Sequence, residues 1–323
     1  MKAFKGVYSE LLERYISFKR NLGYDFVDAE YAYALFDRFT IAREETEIGV
    51  TKDLADAWAQ KRPNESDSTR YRRVMYLIHF SKFLNEIGYE SYVPQLPRAY
   101  RSTFTPYIFT HAAINTLLKE CDRLESGNQL NDHVNVIPAM FRLMYGTGIR
   151  VGEAVTLKVR DVNLEEEFLI VLNSKNDKER LVPFSATVAE SCRQYQRSLI
   201  FAQTPEDYFF IRRNGQKCNE KTIYEWFRKM LRRCNISHGG KGLGPRLHDL
   251  RHTFAVHSMV KMAESGLDLY YSLPVLSEYL GHQSLEATDK YVRLTSERYP
   301  GLLNDVNDIC AYIFPDLATN EAD

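Results

Sequence analysis

Apolar residues at Tyr8, Leu11, Leu12, Tyr15, Ile16 and Leu22 recur at helical spacing, and Gly23 stands where such a helix would end. Tyr31, Ala34, Leu35 and Phe39 repeat the pattern, and Asp53 to Gln60 reads as a short helix stopped by Pro63. Ser66-Asp67-Ser68 then offers N-caps for a long helix with Val74, Leu77, Ile78, Phe80 and Leu84 on its apolar positions and Gly88 as its stop. No strand-like alternation competes, so residues 1–95 are expected to form a small all-helical domain. Pro94, Pro97 and Pro106 punctuate the next stretch, and 96–108 reads as an extended linker. Thr110 caps a new helix carrying Ile114, Leu117, Leu118 and Cys121, which opens a second domain, 109–323. That domain is mostly helical with one strand signal. The apolar run Phe168 to Leu172, polar turn chemistry from Asn173 to Glu179, and Arg180-Leu181-Val182-Pro183 predict a β-hairpin with a long tip. There is no internal repeat. The expected fold class is mainly α with a small β-sheet or hairpin.

The length of 323 residues fits two domains, and 44% hydrophobic with 26% charged residues fits a soluble globular chain. No apolar run approaches the roughly 20 residues of a membrane helix, and the N-terminus lacks the apolar core of a secretory signal. Five widely spaced cysteines without a Cys-x-x-Cys pair argue against a disulfide framework or a cysteine zinc site, so a cytoplasmic location is expected. The net charge of −1 gives no hint of a polyanion partner, but the basic residues cluster locally. Lys61-Arg62 and Arg70-Tyr71-Arg72-Arg73 form one stretch. Arg212-Arg213, Lys217, Lys221, Arg228-Lys229 and Arg232-Arg233 form another, interleaved with Tyr224, Trp226 and Phe227. Each could be an ordinary solvated helix face; the aromatics set the second apart.

Candidate chemistry lies in the second domain. Gly146-Thr147-Gly148-Ile149-Arg150-Val151-Gly152-Glu153 places an arginine where a Gly-rich turn meets a helix, a setting that can hold a guanidinium rigidly against phosphate oxygens. His248-Asp249-Leu250-Arg251-His252 opens a helix on which His248 and Arg251 share a face. His248 and His252 at i and i+4 would also suit zinc, but Asp249 stands where the metalloprotease motif has Glu, and no third ligand is suitably spaced. Gly281 is a natural helix C-cap, His282 follows it, and Tyr291 comes nine positions after His282. Taken singly, Arg150 could be a surface arginine and Tyr291 a packing residue. Taken together they supply what metal-free phosphoryl transfer requires: cations for the non-bridging oxygens, a nucleophile, a base and an acid.

Arg150 in its Gly-x-Arg-x-x-Glu setting, His248-x-x-Arg251, and Leu280-Gly281-His282 followed by Tyr291 resemble the signature of the tyrosine recombinase (phage integrase) family. Thr253-Phe254-Ala255 and Lys178-Glu179-Arg180-Leu181-Val182-Pro183 are similar to its flanking text. The resemblance is strong over 106–298; the N-terminal half is similar to the family's helical core-binding domain by pattern alone. It implies the plain two-domain form of the Xer-like or transposon-encoded enzymes, a C-shaped clamp on double-stranded DNA. It further implies site-specific recombination, integration or transposition by cleavage and rejoining through a 3′-phosphotyrosyl link, without metal, cofactor or ATP. Arg150 and Arg251 would clamp the scissile phosphate, and Tyr291 would attack it. His248 would assist removal of the tyrosine proton, His282 would hydrogen-bond a non-bridging oxygen, and Lys175 on the hairpin would protonate the leaving 5′ oxygen, with Lys178 as the neighbouring alternative. Glu153 is read as a structural support. After Pro300-Gly301, the apolar positions Leu302, Leu303, Val306, Ile309, Cys310, Ile313 and Phe314 form a helical stripe. The resemblance makes 301–314 an exchange helix that links four protomers in a synaptic tetramer, with a partner recombinase or accessory protein as a further expectation. A type IB-like topoisomerase and a non-cutting DNA-binding accessory protein are the alternatives.

Overall fold

A computed structural model describes residues 4–98, 105–124, 133–172, 179–239 and 244–282, together with Thr288, Tyr291, Leu294 and Thr295. The chain divides into two compact units, Met1–Thr103 and Phe104–Asp323. The architecture is mainly helical with one small antiparallel sheet, the class expected from the periodicity.

The first unit is built from α1 (Ser9–Asn21), α2 (Val27–Ala42), α3 (Lys52–Ala59) and α4 (Asp67–Glu86). Thr51 and Ser66 cap α3 and α4, their hydroxyls accepting from the N–H groups of Leu54 and Thr69. The core is rich in aromatic rings. Tyr15 packs on Phe83 at 4.8 Å between ring centroids, and Phe36 meets Trp58 edge-on at 5.1 Å. Buried phenols keep their hydroxyls satisfied: Tyr8 donates to the Gly49 carbonyl and Tyr33 to that of Tyr76.

Two sequence expectations need correction here. Of the expected stripe on α2, Ala34 is buried and Leu35 and Phe39 pack against the core, but Tyr31 is 55% exposed, and Ala29, Tyr33, Phe36, Asp37 and Thr40 complete the buried face. The apolar pattern could not count Asp37, which lies on the buried face, where its carboxylate accepts from the backbone N–H groups of Lys5 and Gly6 at 3.0 and 2.8 Å. The first basic stretch is also spent largely on structure. Arg73 is buried, pairs with buried Glu65 at 2.8 Å, and shares the Trp58 ring with Arg62; the two guanidiniums lie 4.8 and 4.5 Å from its centroid.

The second unit comprises α5 (His111–Asp122), α6 (Val136–Thr147), α7 (Val151–Thr156), a 3-10 turn at Val159–Asp161, β1 (Val162–Asn163), β2 (Phe168–Val171), β3 (Arg180–Pro183), α8 (Ala186–Arg197), α9 (Glu220–Arg233), α10 (Asp249–Glu264) and α11 (Leu269–Leu280). The strands run antiparallel in the order β1-β2-β3, with Leu169 opposite Val182 and Ile170 opposite Leu181. The two-residue β1 was too short to leave an alternation in the sequence. Leu169, Val171 and Val182 join α5, α6, α8 and α9 in the larger core. A smaller core gathers Ile108, the inner faces of α10 and α11, Tyr291 and Leu294. Ile108 and Phe109 thus belong to this unit's interior, and the Phe109 N–H donates to Thr253 Oγ1 on α10.

α9 buries Ile223, Phe227, Met230 and Leu231 and exposes Lys221, Arg228, Lys229, Arg232 and Arg233. Trp226 is half-buried, with the Lys229 ammonium 4.1 Å from its ring centroid. No helix among the described residues is long and apolar enough to cross a membrane.

α6 ends at Gly148, which takes φ +65° and leads the chain into Arg150. A Cβ there would stand 2.5 Å from the Phe254 ring of α10 and 3.0 Å from Leu280 of α11. Gly148→Ala therefore combines left-handed backbone strain with overpacking and is expected to destabilise the protein by about 2–4 kcal/mol. A shift of the urea unfolding midpoint measures this; an unchanged midpoint contradicts the close approach of the three helices.

Candidate active site

The start of α10 is anchored from below. Asp249 is fully buried, and its carboxylate accepts from the Arg246 N–H at 2.7 Å. Burial raises its pKa, against the opposing pull of the Arg246 N–H and guanidinium. From this base, α10 turns Arg251 and His252 inward, 2% and 3% exposed.

Arg251 donates through Nη1 to the Gly148 carbonyl at 2.7 Å and through Nη2 to the Leu280 carbonyl at 2.6 Å. Both carbonyls lie at helix C-termini and have no partner within their own helix, so one guanidinium completes the ends of α6 and α11. Its pKa is brought down to about 10, first by burial and next by the Arg150 charge, with Tyr291 and Glu153 opposing. It stays cationic at neutral pH and has further N–H groups to offer.

A second arginine repeats the device. Arg180, at the start of β3, points inward with Val182. Its Nε donates to the Tyr279 carbonyl at 3.1 Å, and Nη1 and Nη2 donate to the two oxygens of Glu153 at 3.1 and 2.8 Å. Glu153 also accepts from the backbone N–H of Arg150 at 2.8 Å and from its Nη1 at 2.8 Å. Burial alone would raise the Glu153 pKa. The Arg180 hydrogen bonds, the Arg150 N–H and the two guanidinium charges outweigh it and bring the carboxyl down to about 2. Arg150 itself is the most open of the three arginines, its side chain 30% exposed against 7% for Arg180.

Tyr291 is 1% exposed, and its hydroxyl lies 2.8 Å from His252 Nδ1. The His282 ring is stacked near it at 6.1 Å, and His282 Nδ1 is 2.6 Å from Thr288 Oγ1. The His248 ring meets His252 edge-on at 4.7 Å. Burial pushes the phenol up to about 12, with Arg251 and then Arg150 pulling the other way and Asp249 reinforcing the rise. Tyr291 is thus a neutral phenol at physiological pH, within the field of two guanidiniums.

The fold therefore gathers Arg150, His248 and Arg251 from the start of α10, His282 and Tyr291 around one point of the second unit. Lys175, Lys178 and the 301–314 stripe lie outside the described residues. Sequence reasoning gave no role to Arg180 or His252. The first was legible as a charge on the buried phase of a strand that alternates in and out. The second sits beside Arg251 but had been weighed only as a metal ligand. Among the described residues no group of three or more His, Cys, Asp or Glu is placed to hold a metal ion.

Arg150, Arg251, His248, His282 and a buried Tyr291 brought to one point of a mainly helical domain agree with the class of tyrosine recombinases. The chain belongs to the phage integrase family, whose model matches residues 108–298. Among curated proteins it is 28% identical over 295 residues to a protein of Sinorhizobium fredii assigned to the integrases/recombinases, covering 88% of this chain and 92% of that one. It is 29% identical over 254 residues to the tyrosine recombinase XerD of Ralstonia nicotianae, covering 76% and 75% of the two chains. Among solved structures, the Tn1549 transposon integrase in complex with transposon right end DNA aligns with a TM-score of 0.62 at 17% identity, covering 91% of this chain and 99% of that one. A lambda integrase dimer bound to a core site aligns with a TM-score of 0.62 at 14% identity, over 87% and 93%. These two share the fold.

The Glu153 carboxylate yields a pH prediction. Its pKa lies at about 2 in the folded protein against an ordinary 4.5, so its stabilising contribution is complete above pH 4.5 and is lost as pH falls towards 2. The difference corresponds to about 3 kcal/mol. Glu153→Gln is expected to lower stability at neutral pH and to flatten the acid limb of stability by about that amount. Urea unfolding at several pH values between 2.5 and 6 tests it, and an acid limb identical in both proteins rules out the ion-pair account.

Proposed function

We propose that this protein is a site-specific DNA recombinase or integrase in which Tyr291 attacks a scissile phosphodiester and forms a 3′-phosphotyrosyl intermediate. Arg150 and Arg251 hold the non-bridging oxygens, where negative charge concentrates in the transition state, and His282 adds a hydrogen bond there. A histidine of the cluster, His248 in the family pattern, assists removal of the tyrosine proton. Lys175 on the hairpin protonates the departing 5′ oxygen. The phosphodiester energy stays in the tyrosyl link, so a 5′-hydroxyl can reverse the step and rejoin strands without ATP. What supports this reading above all is the Tyr291 hydroxyl lying within the field of both guanidiniums and in contact with an imidazole.

Double-stranded DNA is the proposed partner. The exposed basic face of α9 supplies sequence-independent phosphate contacts, and the first unit serves as the core-binding domain. Two protomers on each of two duplexes form the proposed synaptic tetramer, linked through the 301–314 segment.

The test begins with the binding site. Duplexes retained by the full-length protein are selected from a randomised pool, and the selected site is rebuilt with a nick beside the scissile phosphate so that the cleaved end diffuses away. The wild-type protein is expected to accumulate a covalent protein–DNA adduct without added metal, and Tyr291→Phe to bind the same duplex and form none. An adduct that survives in Tyr291→Phe removes the tyrosine from its role. On the same substrate, Arg150→Ala is expected to slow adduct formation by at least ~10²-fold, the scale for loss of one preorganised donor. Duplex affinity should fall far less, because other phosphate contacts remain. Cleavage at the normal rate by this variant rules out the clamp.

A further inference from the structure

We propose that His252 is the base that takes the proton from Tyr291 as the tyrosyl oxygen attacks phosphorus. The inference rests on the cleavage reaction proposed above and deepens it by naming the atom that receives the proton.

The argument starts from the nucleophile. A phenol in this pocket stays protonated at neutral pH, and a neutral phenol is a poor nucleophile toward a phosphodiester, so the O–H bond must break as the O–P bond forms. The acceptor must lie within hydrogen-bond reach of that hydroxyl. His252 Nδ1 lies 2.8 Å from it, in a contact removed from water: the two residues are 3% and 1% exposed. An imidazole is also the side chain whose ordinary pKa is best placed to accept a proton at physiological pH.

The position is fixed from both sides. His252 follows Arg251, whose two hydrogen bonds to the Gly148 and Leu280 carbonyls lock that turn of α10 against α6 and α11. Tyr291 is held by the smaller core, among Leu276, Leu280 and Leu294. The edge-on His248 ring at 4.7 Å packs against His252 and helps to keep the imidazole in place. Arg251, Arg150 and Asp249 bear electrostatically on the Tyr291 phenol, and Glu153 and Arg180 bear on Arg251. The His282 ring lies 6.1 Å from that of Tyr291, close to parallel with it.

The step balances as follows. Tyr291 Oη forms a bond to phosphorus while its proton passes to His252 Nδ1. The bond from phosphorus to the 5′ oxygen breaks, and that oxygen takes a proton from the acid, proposed above to be Lys175. Rejoining runs in reverse: the 5′-hydroxyl attacks, and His252 returns its proton to the departing tyrosyl oxygen. This requires neutral His252 to carry its proton on Nε2, leaving Nδ1 free to accept.

Two measurements test the assignment. The first needs no DNA. Nitrogen-15 imidazole spectra of the full-length protein, with the His252 signals identified by their absence in His252→Asn, are expected to show Nδ1 unprotonated and perturbed by Tyr291→Phe. An Nδ1–H signal would make His252 the donor and overturn the proposal. The second uses the selected nicked duplex. His252→Asn keeps a hydrogen-bonding amide near the Nδ1 position but cannot take a proton. It is expected to bind the duplex with a Kd close to wild type and to form adduct ~10²–10⁴-fold more slowly. In His252→Ala, added imidazole is expected to restore adduct formation, while pyrazole, of the same shape but far weaker as a base, is not. Adduct formation by His252→Asn at the wild-type rate, or equal rescue by both heterocycles, would reduce His252 to a packing role. Absence of adduct from the wild-type protein would instead sink the cleavage reading, and the base assignment with it.

Discussion

Buried arginines satisfied by helix-terminal carbonyls hold the site together. α6 and α11 each end with peptide oxygens left over by their own helical ladders, and both ends are buried against α10. Arg251 answers one oxygen from each helix, and Arg180 answers the next one on α11 while locking Glu153. Removing such a guanidinium would strand carbonyls and a carboxylate away from water, at a cost of several kcal/mol. Whatever moves α11 therefore moves the turn before Arg150, the base of the hairpin at Arg180, and Gly281-His282 with it. Positive charge is carried to a dry location by the same contacts that set the geometry, so stability and electrostatics are hard to separate at these positions.

Much of this was legible in the chain because the elements that carry chemistry announce themselves locally. Gly148 and Gly281 mark helix ends by their conformation, Thr110 and Ser66 cap as their side chains dictate, and Arg251 sits in the first turn of the helix that its motif opens. Other features resisted for definite physical reasons. On α2 the outward turn of Tyr31 and the burial of Asp37 were hidden, because the partners of that carboxylate, the N–H groups of Lys5 and Gly6, are brought to it only by tertiary folding. The burial of Arg73 depends on Glu65 and on the Trp58 ring, which a count of basic residues cannot see. The contact between His252 and Tyr291 joins positions 39 apart in sequence, so spacing alone could not choose among three histidines.

The two basic stretches show how similar composition can serve different ends. In the first unit the guanidiniums of Arg62 and Arg73 are drawn onto Trp58, and Lys61 pairs with Asp67. On α9 the basic residues stay exposed along one side of a helix whose opposite side is fully committed to the core. The difference lies in where the apolar partners fall: α9 has a clean stripe that fixes which face is dry, and the first stretch straddles a turn.

The tryptophans add a spectroscopic dividend. The chain has two, and each compact unit holds one: Trp58, 2% exposed beneath two guanidiniums, and Trp226, half-buried beside Lys229 on the basic helix. Their surroundings differ enough for their emission to separate, with Trp58 shifted to shorter wavelength and Trp226 open to collisional quenchers. Replacing either indole by phenylalanine leaves a single-reporter protein in which the fluorescence of one unit is followed without a dye. The Trp226 signal also sits where a polyanion laid along α9 would change its environment first.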